Sequence, residues 1–365
     1  MTTALPSDQN APPAAVATAA ACGKVILLGE HAVVYGVPAL CGALRGGAEV
    51  AAIPGRGALR VPAWDVVTPT AAELLAPADR AESRSADAGE QSLFQAYRAI
   101  LRSLCAAAQR PEAELVVPYD FVARFAIPTG AGLGSSAALS VALVRAIGQS
   151  LGLGLSAAQV GDAALAAEQV FHGHPSGLDH TIAQHGGFGL FRRGHGLTPL
   201  LGTPELRLCI GHTGRARDTK GRVARVAELH REDPTTTGTC FARVAALVEQ
   251  ATAALRRADL SALGAAMNEN QSELSLLEVS CPEIDEMCRL AHAAGALGAK
   301  LTGGGGGGCV VALAGEREDA VRAAWERAGF TSFSAVIGPA AGAESQAPLP
   351  VPPAAIHPAI SKSQP

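Results

Sequence analysis

Three glycines in five positions, Gly130, Gly132 and Gly134, run directly into two hydroxyls in the stretch Pro128-Thr129-Gly130-Ala131-Gly132-Leu133-Gly134-Ser135-Ser136-Ala137-Ala138. Such a stretch adds little bulk to a core. It lets the backbone fold tightly enough for several N–H groups to converge on one point. The residues that follow, AALSVALVRAIGQSL, are rich in good helix formers. A glycine loop that opens a helix presents free N–H groups and the positive helix end to an anion. A nucleotide phosphate suits that chemistry best, with Ser135 or Ser136 free to reach its metal. A glycine turn that only caps a helix reads the same locally, so the loop needs partners elsewhere in the chain.

Two other segments supply reactive groups. Gly23-Lys24-Val25-Ile26-Leu27-Leu28-Gly29-Glu30-His31 carries a lysine near the start of an apolar run and an acid and a histidine just after it. Glu168 falls near the end of an Ala-rich stretch, and His172-Gly173-His174-Pro175-Ser176-Gly177-Leu178-Asp179 reads as a Gly/Pro loop carrying Asp179. Two patterns mislead. Gly303, Gly305 and Gly308 satisfy G-x-G-x-x-G only because the run is all glycine, and CVVALAG after it reads as a strand where a dinucleotide fingerprint needs a helix; the run is expected instead to let backbone approach the phosphate loop closely. His172, His174, His180 and His185 lack cysteine partners and the H-E-x-x-H spacing, which argues against zinc.

The elements that must hold these groups can be read coarsely. Residues 19–28 read as a strand, and 92–108 has helical periodicity. Ser156-Ala157-Ala158-Gln159 fits a capping box that starts a helix reaching about Phe171. From about 206 a strand, LRLCIGHT, is followed by helical runs over roughly 217–231, 238–258, 260–276 and 283–295. GAKLTG, the glycine run, CVVALAG, a helix and a last strand, SFSAVIG, complete the pattern. Strands and helices mix without regular alternation, so the fold class expected is α+β, not a doubly wound sheet.

The 365 residues allow two ordinary domains, and 48% hydrophobic residues allow a sizeable core. A net charge of −4 argues against nucleic acid or an anionic membrane as the main partner. No stretch is long and apolar enough to span a bilayer, and the start of the chain has no Lys or Arg before Lys24, which argues against a signal peptide. The eight cysteines show no C-x-x-C pair and sit mostly in apolar runs, as in a reducing cytosol. Residues 1–18 and 340–365, rich in Ala, Pro, Ser and Gln, read as disordered tails.

GKVILLGEHAVVYG, PTGAGLGSSAA and Lys300-Leu301-Thr302-Gly303 through Gly308-Cys309 resemble, in order, the three motifs of the GHMP kinases, the small-molecule kinases of galactose, homoserine, mevalonate and phosphomevalonate. The resemblance covers roughly residues 20–338. It implies a two-domain fold, with an N-terminal ATP-binding domain over 19–205, a C-terminal domain over 206–339 and the active site in the cleft between them. GEHAVVYG, HGHPSGLDH and MNENQSELSLLEVSCPEID are similar to the branch that acts on mevalonate. ATP and mevalonate are the expected substrates and Mg²⁺ the expected cofactor. The resemblance implies that Asp179 is the catalytic carboxylate with Lys24 beside it, and that Ser136 and Glu168 hold the metal. It further implies that Pro128, Gly130, Ala131, Gly132, Leu133, Gly134, Ser135, Ser136 and Ala137 bind ATP and that Glu30, His31 and Thr219 face the acceptor. Lys24 would offset charge developing in the transition state. An early proton abstraction by Asp179 and a role in placing the alcohol both stay open, as does a homodimer. Two residues depart from the pattern: His174, where many members have Asn, and Glu278, where many have Gly. The first is expected to tune substrate fit and the second to be surface variation. Arg217 and Lys220 could serve an acceptor carboxylate, although cations at a helix start often face solvent. A kinase of phosphomevalonate or another small alcohol, and a non-catalytic binding protein of this fold, are the alternatives.

Overall fold

Side chains on a strand alternate faces, and the first strand sends Ile26 to one core while its neighbours Val25 and Leu27 enter another. β1 (Ala17–Leu28) runs antiparallel to the long β2 (Ala39–Pro54). In the computed structural model, which describes residues 15–76, 87–173 and 175–338, Ala19 and Ala21 enter one core, whereas Val25 and Leu27 enter another. The register shifts between Ala21 and Gly23, a bulge that re-aims the strand. Gly23 is needed there, because a Cβ would lie 2.7 Å from Ile127 Cδ1 and 2.9 Å from the Leu133 carbonyl oxygen. Lys24, next after the bulge, leaves the strand on the face shared with Ile26 and away from Val25 and Leu27.

β3 (Leu59–Val61), β4 (Val66–Val67) and β5 (Tyr119–Phe125) extend the sheet on one side of β2. β6 (Phe188–Arg192) pairs with β2 and with β7 (Gly196–Leu200). On the other side come β11 (Thr331–Ile337), β8 (Leu206–His212), β10 (Cys309–Leu313) and β9 (Gly298–Thr302), in the spatial order β4-β3-β5-β2-β11-β8-β10-β9. A single bridge, Ile337 to Leu44, joins the two halves of the sheet.

Helices cover each half. The short α1 (Ala71–Leu75), α2 (Ala88–Ala107), α3 (Ser135–Ser150) and α4 (Ala157–His172) belong to the first half. Tyr97, Leu101, Val144 and Ala163 pack there against Phe121 and Val50. α6 (Thr219–Glu232), α7 (Pro234–Arg256), α8 (Leu260–Leu276), α9 (Pro282–Ala293) and α10 (Glu318–Arg327) accompany the second. The largest core joins Trp325, Met287 and Ile210 to Val25, Leu27 and Leu28 of β1. Apolar packing therefore crosses the 205/206 position at which the two expected domains would divide.

The capping box at Ser156 and Gln159 is present, with the Ser156 side chain accepting from the Gln159 N–H. Three features differ from the sequence expectation. β1 begins at Ala17, inside the segment read as a tail, because Ala17 and Thr18 pair with Ala52 and Ala51; residues 1–14 and 340–365 lie outside the described residues. The Gly/Pro loop ends earlier than expected, since α5 (Leu178–His185) starts directly after Gly177, whose φ of 88° reverses the chain. β6, mostly buried, and β7, with three of five positions exposed, show no single alternating period in the sequence. No helix among the described residues is long and apolar enough to cross a membrane.

Candidate active site

α5 is pinned to β1 by Leu178 and Ile182 packing with Ile26. That packing places Asp179 in the first turn of α5, where the helix end favours a carboxylate, and brings it to Lys24. Lys24 Nζ lies 3.1 Å from Asp179 Oδ1, with side chains 8% and 33% exposed. The ammonium is sunk in the wall, while the carboxylate opens onto a cleft of about 830 Å³.

The glycine loop closes over the same lysine. The Lys24 N–H donates to the Leu133 carbonyl at 2.8 Å. Gly130, Gly132 and Gly134 have φ of 76°, 86° and 75°, and Ala131 and Leu133 between them are buried. Apolar side chains anchor the loop and glycines line its open side. A Cβ at Gly134 would come within 2.7 Å of Lys24 Cγ, and one at Gly132 within 2.7 Å of Arg217 Nη1. Gly132, Gly134, Ser135 and Ser136 line the cleft, whereas Pro128 and Gly130 are not among its lining residues. Ala131, Leu133 and Ala137 are buried in the core, so only their backbone groups could meet a phosphate.

Ser136 lies in the first turn of α3, opposite the end of α4. Its hydroxyl shares a hydrogen bond of 3.2 Å with His172 Nε2, which lies 3.6 Å from Glu168 Oε2. Glu168 is 1% exposed, and its Oε1 is buried with no hydrogen-bond partner. Burial first, and the nearby Asp179 charge second, push its carboxyl up to about 7. A buried carboxylate oxygen without a hydrogen-bond partner beside a hydroxyl is a hard-oxygen donor set, and it fits Mg²⁺, which uses few protein ligands and keeps waters and phosphates. His172 was set aside in the sequence as one of a misleading group of histidines; its contact with both of these residues is visible only in the fold. His180 is nearly buried on α5, and His174 lies outside the described residues.

The remaining wall joins distant motifs. Glu30 and His31 line the cleft, but neither is free. His31 Nε2 is 2.9 Å from the Gly304 carbonyl, and Glu30 is paired with Lys300 of β9. Burial lowers the His31 imidazole below its ordinary range, so it is held neutral as a donor to that carbonyl. Thr219, first residue of α6, packs on Gly304, where any side chain would run into it. Arg217 and Lys220 face the cleft, whereas Arg215 turns away to Glu283 at 3.6 Å.

Two expectations need correction. The glycine run 303–308 links β9 to β10 as an antiparallel hairpin, and it packs mainly on the 215–219 segment and Val279, not chiefly on the phosphate loop. Only Gly308 nears that loop, its Cβ position 3.8 Å from the Ala131 carbonyl oxygen. Glu278 is not mere surface variation. It holds the left-handed φ of 59° that glycine would take more easily. Its carboxylate accepts from Arg225 Nε at 2.8 Å and its carbonyl from Arg222 Nη1 at 2.8 Å, tying the end of α8 to α6. Lys300 joins the site without a role expected from the sequence, where its signal is a lysine inside an otherwise apolar strand.

Comparison with known proteins gives this geometry its family. Residues 94–187 match GHMP kinases N terminal domain, and residues 251–331 match GHMP kinases C terminal. The mevalonate kinase of Pyrococcus horikoshii is 35% identical over 317 residues, covering 85% of this chain and 92% of that protein. The mevalonate kinase of Aeropyrum pernix is 36% identical over 307 residues, covering 83% and 90%. The crystal structure of L. major mevalonate kinase in complex with R-mevalonate has a TM-score of 0.74 at 27% identity, over 91% of this chain and 100% of that one. The chain belongs to the GHMP kinases, ATP-dependent kinases of small molecules. Within them it belongs to the mevalonate kinase family.

Proposed function

We propose that this kinase transfers the γ-phosphoryl group of ATP to the 5-hydroxyl of mevalonate, the first phosphorylation on a route to isoprenoids. The observation that carries the reading is the Lys24–Asp179 pair at 3.1 Å on the cleft wall, directly under the glycine loop. The relatives support mevalonate as the acceptor.

Phosphoryl transfer asks a protein mainly for alignment and charge neutralisation. Backbone N–H groups of the loop and of the start of α3 hold the ATP phosphates. Asp179 accepts a hydrogen bond from the acceptor hydroxyl and aims its oxygen at the γ-phosphorus. As the new O–P bond forms, the bond to the β–γ bridging oxygen breaks, ADP leaves, and the hydroxyl proton passes to Asp179. Lys24 holds Asp179 in place and offsets charge on the transferring group. Because Lys24 already neutralises the carboxylate, Asp179 serves first to place the alcohol and takes the proton late. Ser136 and Glu168 would hold Mg²⁺, which neutralises phosphate oxygens when bound. Thr219, Arg217 and Lys220 line the cleft and are the groups offered to the acceptor's carboxylate. The eight free cysteines, seven of them buried, support a reducing, cytoplasmic setting.

The test is ATP consumption over mevalonate, phosphomevalonate and galactose. Turnover with mevalonate at least about a hundredfold above the others in kcat/KM is expected. Preference for phosphomevalonate or galactose would overturn the substrate, and no turnover with any alcohol would favour a binding protein.

A further inference from the structure

A second lysine–carboxylate pair lies behind the acceptor side of the cleft, unused by the transfer scheme above. Lys300 is fully buried and Glu30 is 1% exposed. Lys300 Nζ contacts Glu30 Oε1 and donates to the Leu301 carbonyl at 2.6 Å. Glu30 Oε2 accepts from Asn270 Nδ2 of α8 at 3.5 Å. Asn270 is 0% exposed, and its Oδ1 is buried without a partner. Next to it, Gln271 Oε1 accepts from the Leu301 N–H at 2.9 Å, so α8 grips β9 at the lysine. As a stability device this is a poor bargain: desolvating an ion pair costs about what attraction returns, and an orphaned amide oxygen adds to the deficit. Polar groups kept at such cost against a cleft point to a use within it.

We propose that Lys300 and Asn270 are positioning residues for Glu30, clamping both of its oxygens from behind so that the carboxylate shows one fixed acceptor edge to a hydroxyl of the acceptor alcohol. This rests on the small-alcohol kinase reading above. Each carboxylate oxygen has a lone pair to spare beyond the clamp. Burial pushes the Glu30 carboxyl up and the Lys300 ammonium down, while their mutual attraction works the other way. Without the lysine, Glu30 would take up a proton and cease to be a pure acceptor.

Steady-state kinetics on the full chain, with nucleotide affinity measured directly by a fluorescent ATP analogue, tests this. Lys300→Met is expected to raise KM for mevalonate about tenfold or more, with nucleotide Kd within about twofold. If Lys300 acts through Glu30, adding Lys300→Met to Glu30→Gln changes KM by less than about twofold, because the pair acts as a unit. The double variant leaves no buried charge unpaired and decides the matter if Lys300→Met alone does not fold. Losses that multiply in the double variant, or KM for mevalonate and nucleotide Kd rising together, would overturn the proposal. A wild type inactive on mevalonate but active on another alcohol is a failure of the substrate reading instead, and the same variants are then scored on that alcohol.

Discussion

Two lysine–carboxylate pairs border the same cleft, one on its wall and one reaching back behind it, and they differ in access to solvent. Lys24 and Asp179 join β1 to the first turn of α5, with Asp179 one-third exposed. Lys300 and Glu30 join β9 to the turn after β1, with both side chains buried and only Glu30 bordering the cleft. The open pair can hand a charge to a reacting group and take a proton from it. The sealed pair can only hold a neighbour still, since any charge it gained would have to be buried. On the proposed reading, the same residue types are divided by depth: the outer pair would meet the reacting groups and the inner pair would fix the acceptor side of the cleft.

The comparison can be broken most forcefully at Asp179. Asp179→Asn keeps the shape and removes the charge, so kcat is expected to fall by about 10²–10⁴ with nucleotide affinity nearly unchanged. A drop of less than about tenfold in rapid-quench turnover would move the reaction away from the open pair. Ser136→Ala and Glu168→Gln come next. Each is expected to weaken use of MgATP by about tenfold to a hundredfold, partly restored by added Mg²⁺, as each removes one oxygen from a site with few protein ligands. Deficits that ignore a Mg²⁺ titration would free both residues from that role.

The sealed pair is tested by stability. Lys300→Met alone is expected to cost about 3–5 kcal/mol in denaturant unfolding, whereas Glu30→Gln with Lys300→Met should be neutral or stabilising. A double variant as unstable as the single one would show that the pair itself holds the fold together.

The smallest effect is expected at Asp120, a carboxylate on β5 away from the cleft. Burial alone would raise its carboxyl, but hydrogen bonds from the Arg56 N–H, Arg60 and the Ala58 N–H outweigh burial and hold it below the usual range. A lowered folded value contributes stability above the unfolded carboxyl range of about 3.9, lost as pH falls through the folded value. Asp120→Asn should cost about 1–3 kcal/mol at neutral pH, narrow that acid transition, and leave both KM values alone. A shift in KM would show that the cleft senses this edge of the sheet.

Legibility in the sequence followed the range of the signal. The phosphate loop announced itself because its glycines, hydroxyls and helix are contiguous, and local backbone needs dictate such residues. The helices α7 to α10 and the Ser156 cap were readable for the same reason: period and capping are properties of neighbours in the chain. α5 was hidden because Gly177 and Pro175 read as loop, and eight residues are too few for a period to show over them. Glu278 was misjudged because its partners, Arg222 and Arg225, lie more than fifty residues away.

By itself, the sequence determined the α+β class, the phosphate loop, the order of the elements and the set of groups available for phosphoryl transfer. These depend on composition, local backbone preference and the periods of 2 and 3.6. Only the tertiary structure decided which lysine meets which acid. Lys24 and Asp179 are 155 residues apart and Glu30 and Lys300 are 270 apart, so their pairing depends on the bulge at Gly23, the packing of Ile26 on α5, and the register of β9 against β10. Depth was decided there too, because burial is a property of the whole packed chain, and it is burial that separates a pair able to react from one able only to hold.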